Sequence, residues 1–173
     1  MDYEKHIGVY PDFPKAGISF KDISPLVADA EAFHAVIDDM AERAKKYQPD
    51  LILGAESRGF IFGSALAYKM NLGFVMGRKA GKLPGTTIKA SYSLEYGTAT
   101  LEIPSNAIQK GQRVLLVDDL MATGGTFDAL KKIVEVAGGT PVACLTLINL
   151  EELHGEKMVG LPCESLLTLS DSH

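Results

Sequence analysis

The sequence predicts an α/β fold with a central, mainly parallel sheet flanked by helices. Two observations lead to this prediction. Short apolar runs of strand length recur along the chain, and they alternate with segments whose apolar residues fall at helical spacing. Such alternation is typical of a parallel sheet covered by helices on both faces. The length of 173 residues fits one domain, so residues 1–173 are expected to form a single domain.

The N-terminal part of the chain is predicted to hold an irregular arm and a long helix. Residues 10–25 are rich in Pro, Asp and Gly and predict an arm with short extended pieces. Apolar residues then recur at helical spacing over 31–47. Asp29 or Ala30 is expected to begin that helix and Pro49 to end it.

Two short strands and a second helix are expected next. Residues 51–55 and 74–77 are apolar runs that predict buried strands. Residues 59–70 predict the helix between them, and Asn71 and Gly73 are residue types that end helices.

The following segment, residues 79–97, differs in composition from the rest. Lys, Gly, Pro, Thr, Ser and Tyr dominate it, and no periodicity holds. A long loop of this kind in a compact domain is usually functional or mobile, so we predict a mobile loop here. Residues 98–103 alternate in polarity like a half-exposed strand.

The C-terminal part continues the alternation. Residues 114–117 and 142–150 predict buried strands, and residues 166–169 predict a last short strand. Residues 126–137 predict a helix with one apolar face, and Gly138 is expected to end it.

Composition excludes several classes of protein. The formal net charge of −5 and the pI of about 5.3 argue against nucleic acid as a partner, because such proteins normally present a basic face. The N-terminus shows no signal sequence, and no apolar stretch is long enough to span a bilayer. We therefore expect a cytoplasmic protein without a membrane partner.

Cysteines and histidines suggest no metal site. Cys144 lies in an apolar run and predicts a buried core thiol, and the sequence has no Cys-x-x-Cys pattern. The histidines show no spacing typical of metal ligands or a catalytic triad, and we interpret them as surface or packing residues: His6, His34, His154 and His173.

The most informative stretch is residues 114–126. An apolar run is followed by two carboxylates, Asp118 and Asp119, and then by the small-residue turn 122–126 at the start of a helix. Glycines let a backbone approach a phosphate closely, and a helix start offers unpaired N–H groups and the positive end of its dipole. The acidic pair cannot face the phosphate, so it suits ribose hydroxyls or a divalent cation. The alternative is an ordinary strand–helix turn.

Two other loops that follow strands carry charge. Glu56-Ser57-Arg58-Gly59 places an Arg at a helix start, which suits a pyrophosphate because Arg donates two hydrogen bonds in parallel. The segment 78–82 contains three cations, Arg78, Lys79 and Lys82. Each loop taken alone is also compatible with a solvated surface.

A carboxylate lies within the predicted loop. Glu95 stands between aromatic residues near the end of the segment. A closing loop excludes water, and a carboxylate on it can stabilise developing positive charge or move a proton. The alternative is a surface hairpin with an unremarkable Glu95.

The pattern of residues 114–126 resembles the phosphoribosyl pyrophosphate (PRPP) motif of the type I phosphoribosyltransferases. Three further stretches resemble the adenine-specific branch of that family: 13–25, 56–60 and 81–97. Together they cover most of residues 10–130 in the family's order. The resemblance implies the type I phosphoribosyltransferase fold, with a small base-binding hood over about 1–30 and a flexible catalytic loop over about 79–97.

The resemblance also implies a purine salvage reaction in which adenine and PRPP give AMP and pyrophosphate, with Mg²⁺ as cofactor held mainly through PRPP. The family is dimeric, so a homodimer is expected, and the cations 78–82 are expected either in the chain's own site or reaching into the partner subunit's site. The resemblance implies that the 5-phosphate is bound by Ala122, Thr123, Gly124, Gly125 and Thr126, and that the ribose is bound, near Mg²⁺, by Asp118 and Asp119. It implies that pyrophosphate is bound by Glu56, Ser57, Arg58, Arg78, Lys79 and Lys82, and adenine by Ile18, Phe20, Lys21 and Leu120. It also implies that Glu95 is catalytic, with Tyr96 on the same loop, and that the Glu56–Ser57 peptide is cis.

Two positions depart from the family pattern. Lys21 stands where many relatives have Arg, and it keeps the charge without the planar fork. Ala80 stands where some relatives have another basic residue.

Alternative functions are a transferase for a 6-oxopurine or orotate, a regulator that senses PRPP, and a scaffold. The segments 13–25 and 91–97 favour adenine over those other bases.

Overall fold

A computed structural model describes residues 1–94 and 97–170, and the Leu94 side chain is outside the description. The described strands and helices have these bounds: β1 Gly8–Tyr10, β2 Phe20–Asp22, α1 Ser24–Ala28, α2 Ala30–Lys45, β3 Leu51–Ala55, α3 Arg58–Met70, β4 Gly73–Lys79, β5 Thr87–Leu94, β6 Gly97–Pro104, β7 Arg113–Met121, α4 Gly125–Val136, β8 Thr140–Leu150, α5 Glu156–Val159 and β9 Cys163–Leu169. Short 3₁₀ turns at Tyr3–His6 and Glu151–Leu153 complete them.

The central sheet has seven strands in the order β5-β6-β4-β3-β7-β8-β9. The five strands β4, β3, β7, β8 and β9 run parallel to one another, whereas β6 is antiparallel to β4 and β5 is antiparallel to β6. The arm forms a separate antiparallel pair, β1 with β2. The predicted mainly parallel sheet is therefore confirmed, with an antiparallel hairpin at one edge.

Helices cover the two faces of the sheet, and a core lies under each. Helices α2 and α3 bury Met40 and Phe62 on one face, and α4 buries Phe127 and Leu130 on the other. All five residues of β3 are buried, as expected for a strand at the centre of such a sheet. No helix in the described ranges 1–94 and 97–170 is long and apolar enough to cross a membrane.

The helix boundaries follow local signals in the sequence. The Asp29 carboxylate accepts a hydrogen bond from the Ala32 N–H at 2.9 Å and caps the start of α2. Asn71 ends α3 in the left-handed conformation, at φ 59°. Both ends agree with the predicted bounds within about one residue.

The predicted loop over 79–97 is wrong for most of its length. Lys79 ends β4 and residues 87–94 form β5, so the irregular segment shortens to 80–86. Ile88, Ala90 and Tyr92 are partly buried against the core, while the side chains between them are exposed. This is strand alternation, and the small and polar residues disguised it.

The acidic pair lies within a strand and does not follow it. Strand β7 continues to Met121, because its distal residues still pair with β8: Asp118 lies opposite Thr146 and Met121 opposite Asn149. Adjacent residues of a strand point to opposite faces. The carboxylates of Asp118 and Asp119 therefore leave the backbone in different directions.

Candidate functional site

The strand order brings two chemically distinctive loops together. From β3 the chain passes through α3 to β4 on one side, and β7 lies on the other side of β3. Ligands bind beyond the carboxyl ends of parallel strands where the order reverses in this way. The turn 56–57 after β3 and the turn 122–124 after β7 meet at this point.

A cavity of about 180 Å³ marks the site. Its walls are Arg58 and the continuous run of residues 118–127. The wall thus contains both predicted ribose carboxylates, the whole predicted phosphate turn, Leu120 and one predicted pyrophosphate residue. These side chains and backbone groups are side by side, as the sequence predicted.

The turn after β7 has the geometry of an anion cradle. Gly124 adopts φ 92°, a conformation that favours glycine, and it is the residue from which α4 starts. The N–H groups at the start of a helix have no partner within that helix, and the helix dipole adds positive potential there. The residues 124–126 thus offer backbone donors at the end of the cavity.

A segment without a recognised motif supports this turn from behind. A methyl group on Gly155 would collide with the Ala122 carbonyl oxygen and would lie 2.9 Å from the Gly124 nitrogen. Met158 also lies against Gly124. The sequence from Leu153 onward carries no readable chemistry, and only the isolated Gly155 signals this close approach.

The two carboxylates occupy different environments. The carboxylate of Asp119, 4% exposed, pairs with Arg58, with 3.0 Å between Nε and Oδ2. The Asp118 Oδ1 accepts a hydrogen bond from the Asp119 N–H at 2.8 Å and faces Gly59, which leaves room for it. Loss of surrounding water, followed by repulsion from Asp119, raises the pKa of Asp118 well above its ordinary value.

Arg58 also connects the arm to the site. Its guanidinium carbon lies 5.8 Å from the centre of the Phe20 ring, within the range of a cation–π contact. Because its Nε pairs with Asp119, this side chain lies on the Asp119 side of the cavity. Its predicted contact with pyrophosphate stays a prediction.

Two of the predicted cations, Arg78 and Lys82, converge on one carboxylate, and the backbone of the third, Lys79, joins them. The Glu56 Oε1 accepts hydrogen bonds from Arg78 Nε at 3.1 Å and from the Lys79 N–H at 3.0 Å, and its Oε2 accepts from Lys82 Nζ. The charge run 78–82 is therefore placed by specific contacts and is more than a solvated surface. The Glu56–Ser57 peptide is cis, as the resemblance implied.

These contacts favour the ionised form of Glu56. The hydrogen bond from Lys82 makes the largest contribution, and bonds from the Lys79 N–H and Arg78 add to it. They lower the pKa of Glu56 from 4.5 to about 2 against the opposing effect of burial. Glu56 thus offsets one of the two positive charges that Arg78 and Lys82 place there.

The predicted base-binding residues are divided between the arm and the cavity. Leu120 lines the cavity, while Phe20 in β2 contacts Arg58 and packs edge-on against Phe13, with 5.3 Å between ring centres. The Ile18 carbonyl accepts a hydrogen bond from the Phe13 N–H at 3.0 Å. Lys21 is 5% exposed, and its Nζ donates to the Ser19 hydroxyl at 2.7 Å. Their contacts with adenine stay predictions.

Glu95 and Tyr96 lie outside the described residues, so the structure does not place them. The described end of β5 nevertheless approaches the phosphate turn. A methyl group on Gly125 would lie 3.4 Å from the Tyr92 ring and 3.8 Å from the Ser93 carbonyl oxygen. Sequence reasoning missed this packing of the β5–β6 hairpin against the start of α4.

The carboxylates fit a cation that is held mainly by a ligand. Among residues 1–94 and 97–170, no group of three or more His, Cys, Asp or Glu side chains could hold a metal ion. Asp118 and Asp119 still give the cavity two carboxylates, which are oxygen donors of the type that Mg²⁺ prefers. These residues can complete the coordination of an ion that a diphosphate already binds.

Comparisons with known proteins agree with this geometry. Residues 26–169 match the phosphoribosyl transferase domain. The chain is 50% identical over 157 residues to the adenine phosphoribosyltransferase of Desulfitobacterium hafniense, covering 91% of each chain.

Solved structures give the same result. The adenine phosphoribosyltransferase of Thermoanaerobacter pseudethanolicus superposes with a TM-score of 0.94 at 46% identity, covering 97% of this chain and 98% of that chain. The Saccharomyces cerevisiae enzyme, complexed with adenine and an imino-altritol bisphosphate, gives a TM-score of 0.91 at 38% identity, covering 96% and 97%. The chain therefore belongs to the phosphoribosyltransferase family, and within it to the adenine phosphoribosyltransferases.

Proposed function

We propose that this enzyme transfers the 5-phosphoribosyl group of PRPP to adenine in purine salvage, in a Mg²⁺-dependent reaction that gives AMP and pyrophosphate. The observation that carries the proposal is the cavity at the β3–β7 reversal. It presents an anion cradle, two carboxylates and an arginine in one wall, beside a second cluster of cations. This arrangement suits a sugar with phosphate at one end and diphosphate at the other.

The phosphate end of PRPP is assigned to the turn after β7. Backbone N–H groups of Gly124, Gly125 and Thr126, with the hydroxyls of Thr123 and Thr126, donate to the 5-phosphate, and Ala122 completes the turn. The start of α4 favours a dianion in this position. Asp118 and Asp119, in β7 four and three residues before Ala122, are then assigned to the ribose hydroxyls.

The diphosphate end is assigned to the turn 56–58 and to the cations Arg78, Lys79 and Lys82. The Glu56 carboxylate already gathers the Arg78 and Lys82 side chains and the Lys79 N–H in one place. A diphosphate that enters takes over hydrogen bonds that Glu56 accepts in the free enzyme. Arg side chains donate bidentate bonds to phosphate oxygens, and Lys side chains add point charges.

Mg²⁺, when bound, stabilises the negative charge that develops on the leaving pyrophosphate. Asp118 and Asp119 are the residues that would hold it, together with PRPP itself. The protein groups orient the sugar between its two anionic ends and keep water from C1 while positive character develops there. Glu95 and Tyr96, which stand between β5 and β6 in the sequence, are assigned to the closing side of the site.

Adenine is assigned to the space between Phe20 and Leu120, with backbone groups near Ile18 and Lys21 at its edge. The relative from Saccharomyces cerevisiae, complexed with adenine, supports this choice of base. A protein can read the exocyclic amino group with a backbone carbonyl, so no particular side chain is required.

A selectivity assay tests the proposal. Purified enzyme, PRPP and Mg²⁺ are combined in parallel with adenine, hypoxanthine, guanine or orotate, and nucleotide formation is followed. We expect AMP from adenine alone, and no product when Mg²⁺ is removed with a chelator. Turnover of hypoxanthine or guanine would keep the PRPP site and reject the adenine assignment. Binding of PRPP without turnover of any base would favour the sensor.

We also propose that the protein works as a cytoplasmic homodimer. The proposal rests on the resemblance to a dimeric family; Tyr68 on α3 and Met76 on β4, which are 91% and 47% exposed, are large side chains that a partner would cover. Light scattering coupled to size exclusion should give twice the chain mass of 18.6 kDa. A monomer at working concentration would contradict this part of the proposal.

A further inference from the structure

Glu102 is a buried carboxylate in the middle of β6, outside the cavity wall. Its residue is 4% exposed, although it lies in a strand whose neighbours Leu101 and Ile103 belong to the apolar core. Burying a carboxylate is costly unless hydrogen bonds compensate for the lost water. An apolar residue would fill the same space at lower cost, so packing alone does not explain this position.

Both oxygens of this carboxylate hold the loop 80–86 at its two ends. The Oε1 accepts a hydrogen bond from the Gly81 N–H at 3.2 Å, and the Oε2 accepts one from the Thr87 hydroxyl at 3.2 Å. Gly81 lies near the start of the loop, and Thr87 is the first residue of β5. One side chain thus joins the entry of the loop to its exit.

The loop is attached to the sheet mainly at these ends. The Ala80 N–H donates to the Thr100 carbonyl oxygen at 3.0 Å, next to the Gly81 bond, and the Ser105 N–H donates to the Thr86 carbonyl oxygen at 3.0 Å. The residues between them are mostly exposed. The direction in which the loop projects therefore depends on how its two ends are held by β6.

The loop carries one of the cations that gather at Glu56. Lys82 reaches the Glu56 carboxylate from this loop, while Arg78, directly opposite Glu102 in the β4–β6 pair, reaches it from the strand. The Glu102 side chain therefore holds the base of the loop that bears Lys82, and its backbone lies opposite Arg78.

We infer that Glu102 is a positioning residue of the pyrophosphate subsite, which sets the place of Lys82 by holding both ends of the loop 80–86. The inference rests on the proposed function, because it takes pyrophosphate as the ligand of these cations. Glu102 itself does not contact the ligand. Its effect should appear in the binding of pyrophosphate and not in the binding of AMP, which occupies the cradle on the other side of the cavity.

Three variants separate the hydrogen bonds from the charge. E102Q keeps both contacts, because its amide oxygen accepts from the Gly81 N–H and its amide nitrogen donates to the Thr87 hydroxyl. E102L removes both contacts at similar volume. T87V removes only the hydroxyl donor and does not alter the buried carboxylate, so it tests the inference even if E102L does not fold.

A matched control comes from the same hairpin. Thr100 in β6 has a hydroxyl that bonds to the Ser91 hydroxyl at 2.7 Å. T100V makes the same chemical change as T87V one strand away, while the backbone bond between Ala80 and Thr100 is kept. This control shows how much of any effect comes from general loosening of the hairpin.

The measurement is calorimetric titration with inorganic pyrophosphate and Mg²⁺, and separately with AMP, for each folded variant. We expect T87V to weaken pyrophosphate binding roughly three- to tenfold and E102L by about tenfold or more, on the scale of one or two lost hydrogen bonds. E102Q and T100V should stay within about twofold of the wild type, and the AMP dissociation constant should not change in any variant.

Other outcomes overturn the inference in distinguishable ways. Equal pyrophosphate affinity in T87V and the wild type would show that the contact does not set the position of Lys82. Equal weakening by T87V and T100V, or a parallel loss of AMP affinity, would reveal a general structural effect. If the wild type bound no pyrophosphate in the presence of Mg²⁺, the proposed function would fail and this inference with it.

Discussion

Replacing Glu56 by Gln should destabilise the protein in a way that depends on pH. The carboxylate is 9% exposed and accepts from three donors, whereas the Gln amide nitrogen cannot accept from Lys82. In the wild type these contacts lower the pKa of Glu56 from 4.5 to about 2. A shift of this size corresponds to about 3 kcal/mol of stability at neutral pH if no screening operates.

Screening reduces this figure. The side chains of Lys82 and Arg78 are 47% and 31% exposed, so water weakens their attraction to Glu56. We therefore expect E56Q to lower the free energy of unfolding by about 1 to 2 kcal/mol near pH 7. A depressed carboxyl pKa stabilises the fold above the unfolded value of 4.5, and this contribution is lost as the pH falls toward about 2.

Urea unfolding followed by circular dichroism, at a series of pH values, measures the difference between E56Q and the wild type. The control is E42Q, which breaks the Lys45–Glu42 pair, whose side chains are 65% and 72% exposed. That variant should cost less than about 0.5 kcal/mol. An E56Q deficit no larger than that of E42Q, or one that does not shrink between pH 5 and about pH 3, would refute the reasoning.

Four further variants test the site. Gly155→Ala should weaken AMP binding by about tenfold or more, because the added methyl group would displace the turn at Ala122 and Gly124; an AMP dissociation constant equal to that of the wild type would contradict the contact. Asp118→Asn should raise the free energy of unfolding near pH 7, because the amide removes the cost of a desolvated charge beside Asp119, while reducing activity. The pKa of Asp118 is raised in the fold, so this gain should grow as the pH rises above 3.8 and vanish below it, and a gain that does not vary with pH in urea unfolding would argue against the assigned cause. Glu95→Ala should mainly lower turnover, by roughly a hundredfold, whereas Arg58→Ala should also raise the KM for PRPP; steady-state kinetics with wild-type turnover in Glu95→Ala would remove its assigned role.

The parts of the fold that the sequence predicts well are those with a strong local signal. Asp29 and Asn71 fix helix ends through their own side chains and backbone preferences. The run 114–117 is continuously apolar, which predicts a buried strand. These features depend only on residues that are close along the chain, so they can be predicted from a single sequence.

The parts that the sequence does not predict depend on tertiary pairing. Asp118 and Asp119 look like loop residues, yet β8 continues alongside them and holds them in β7. Strand β5 is composed of small and polar residues, and its pairing with β6 makes it a strand. Gly155 approaches the phosphate turn from a segment some thirty residues away, and no local pattern announces this.

The predicted site residues show the same division. The residue types in each loop indicate that phosphate groups are bound, and the parallel sheet brings those loops to one edge. Which donor meets which acceptor does not follow from the sequence. Arg58 contacts Asp119 and Phe20, and Glu56 accepts a hydrogen bond from Lys82 on another loop. Long flexible side chains can reach several charged neighbours, so the sequence alone does not determine which pair forms.

The carboxylate of Glu56 gives the site a resident anion. If a diphosphate binds to Arg78 and Lys82 as proposed, it must displace the Glu56 carboxylate, which is part of the protein chain. Association at this point is an exchange of one anion for another, so its free energy is the difference between two sets of contacts. Chloride or a single phosphate gains little from such an exchange, whereas a diphosphate with Mg²⁺ gains more. When the proposed pyrophosphate product leaves, the Glu56 carboxylate pairs with Arg78 and Lys82 again. Release of the product is therefore coupled to re-formation of these ion pairs.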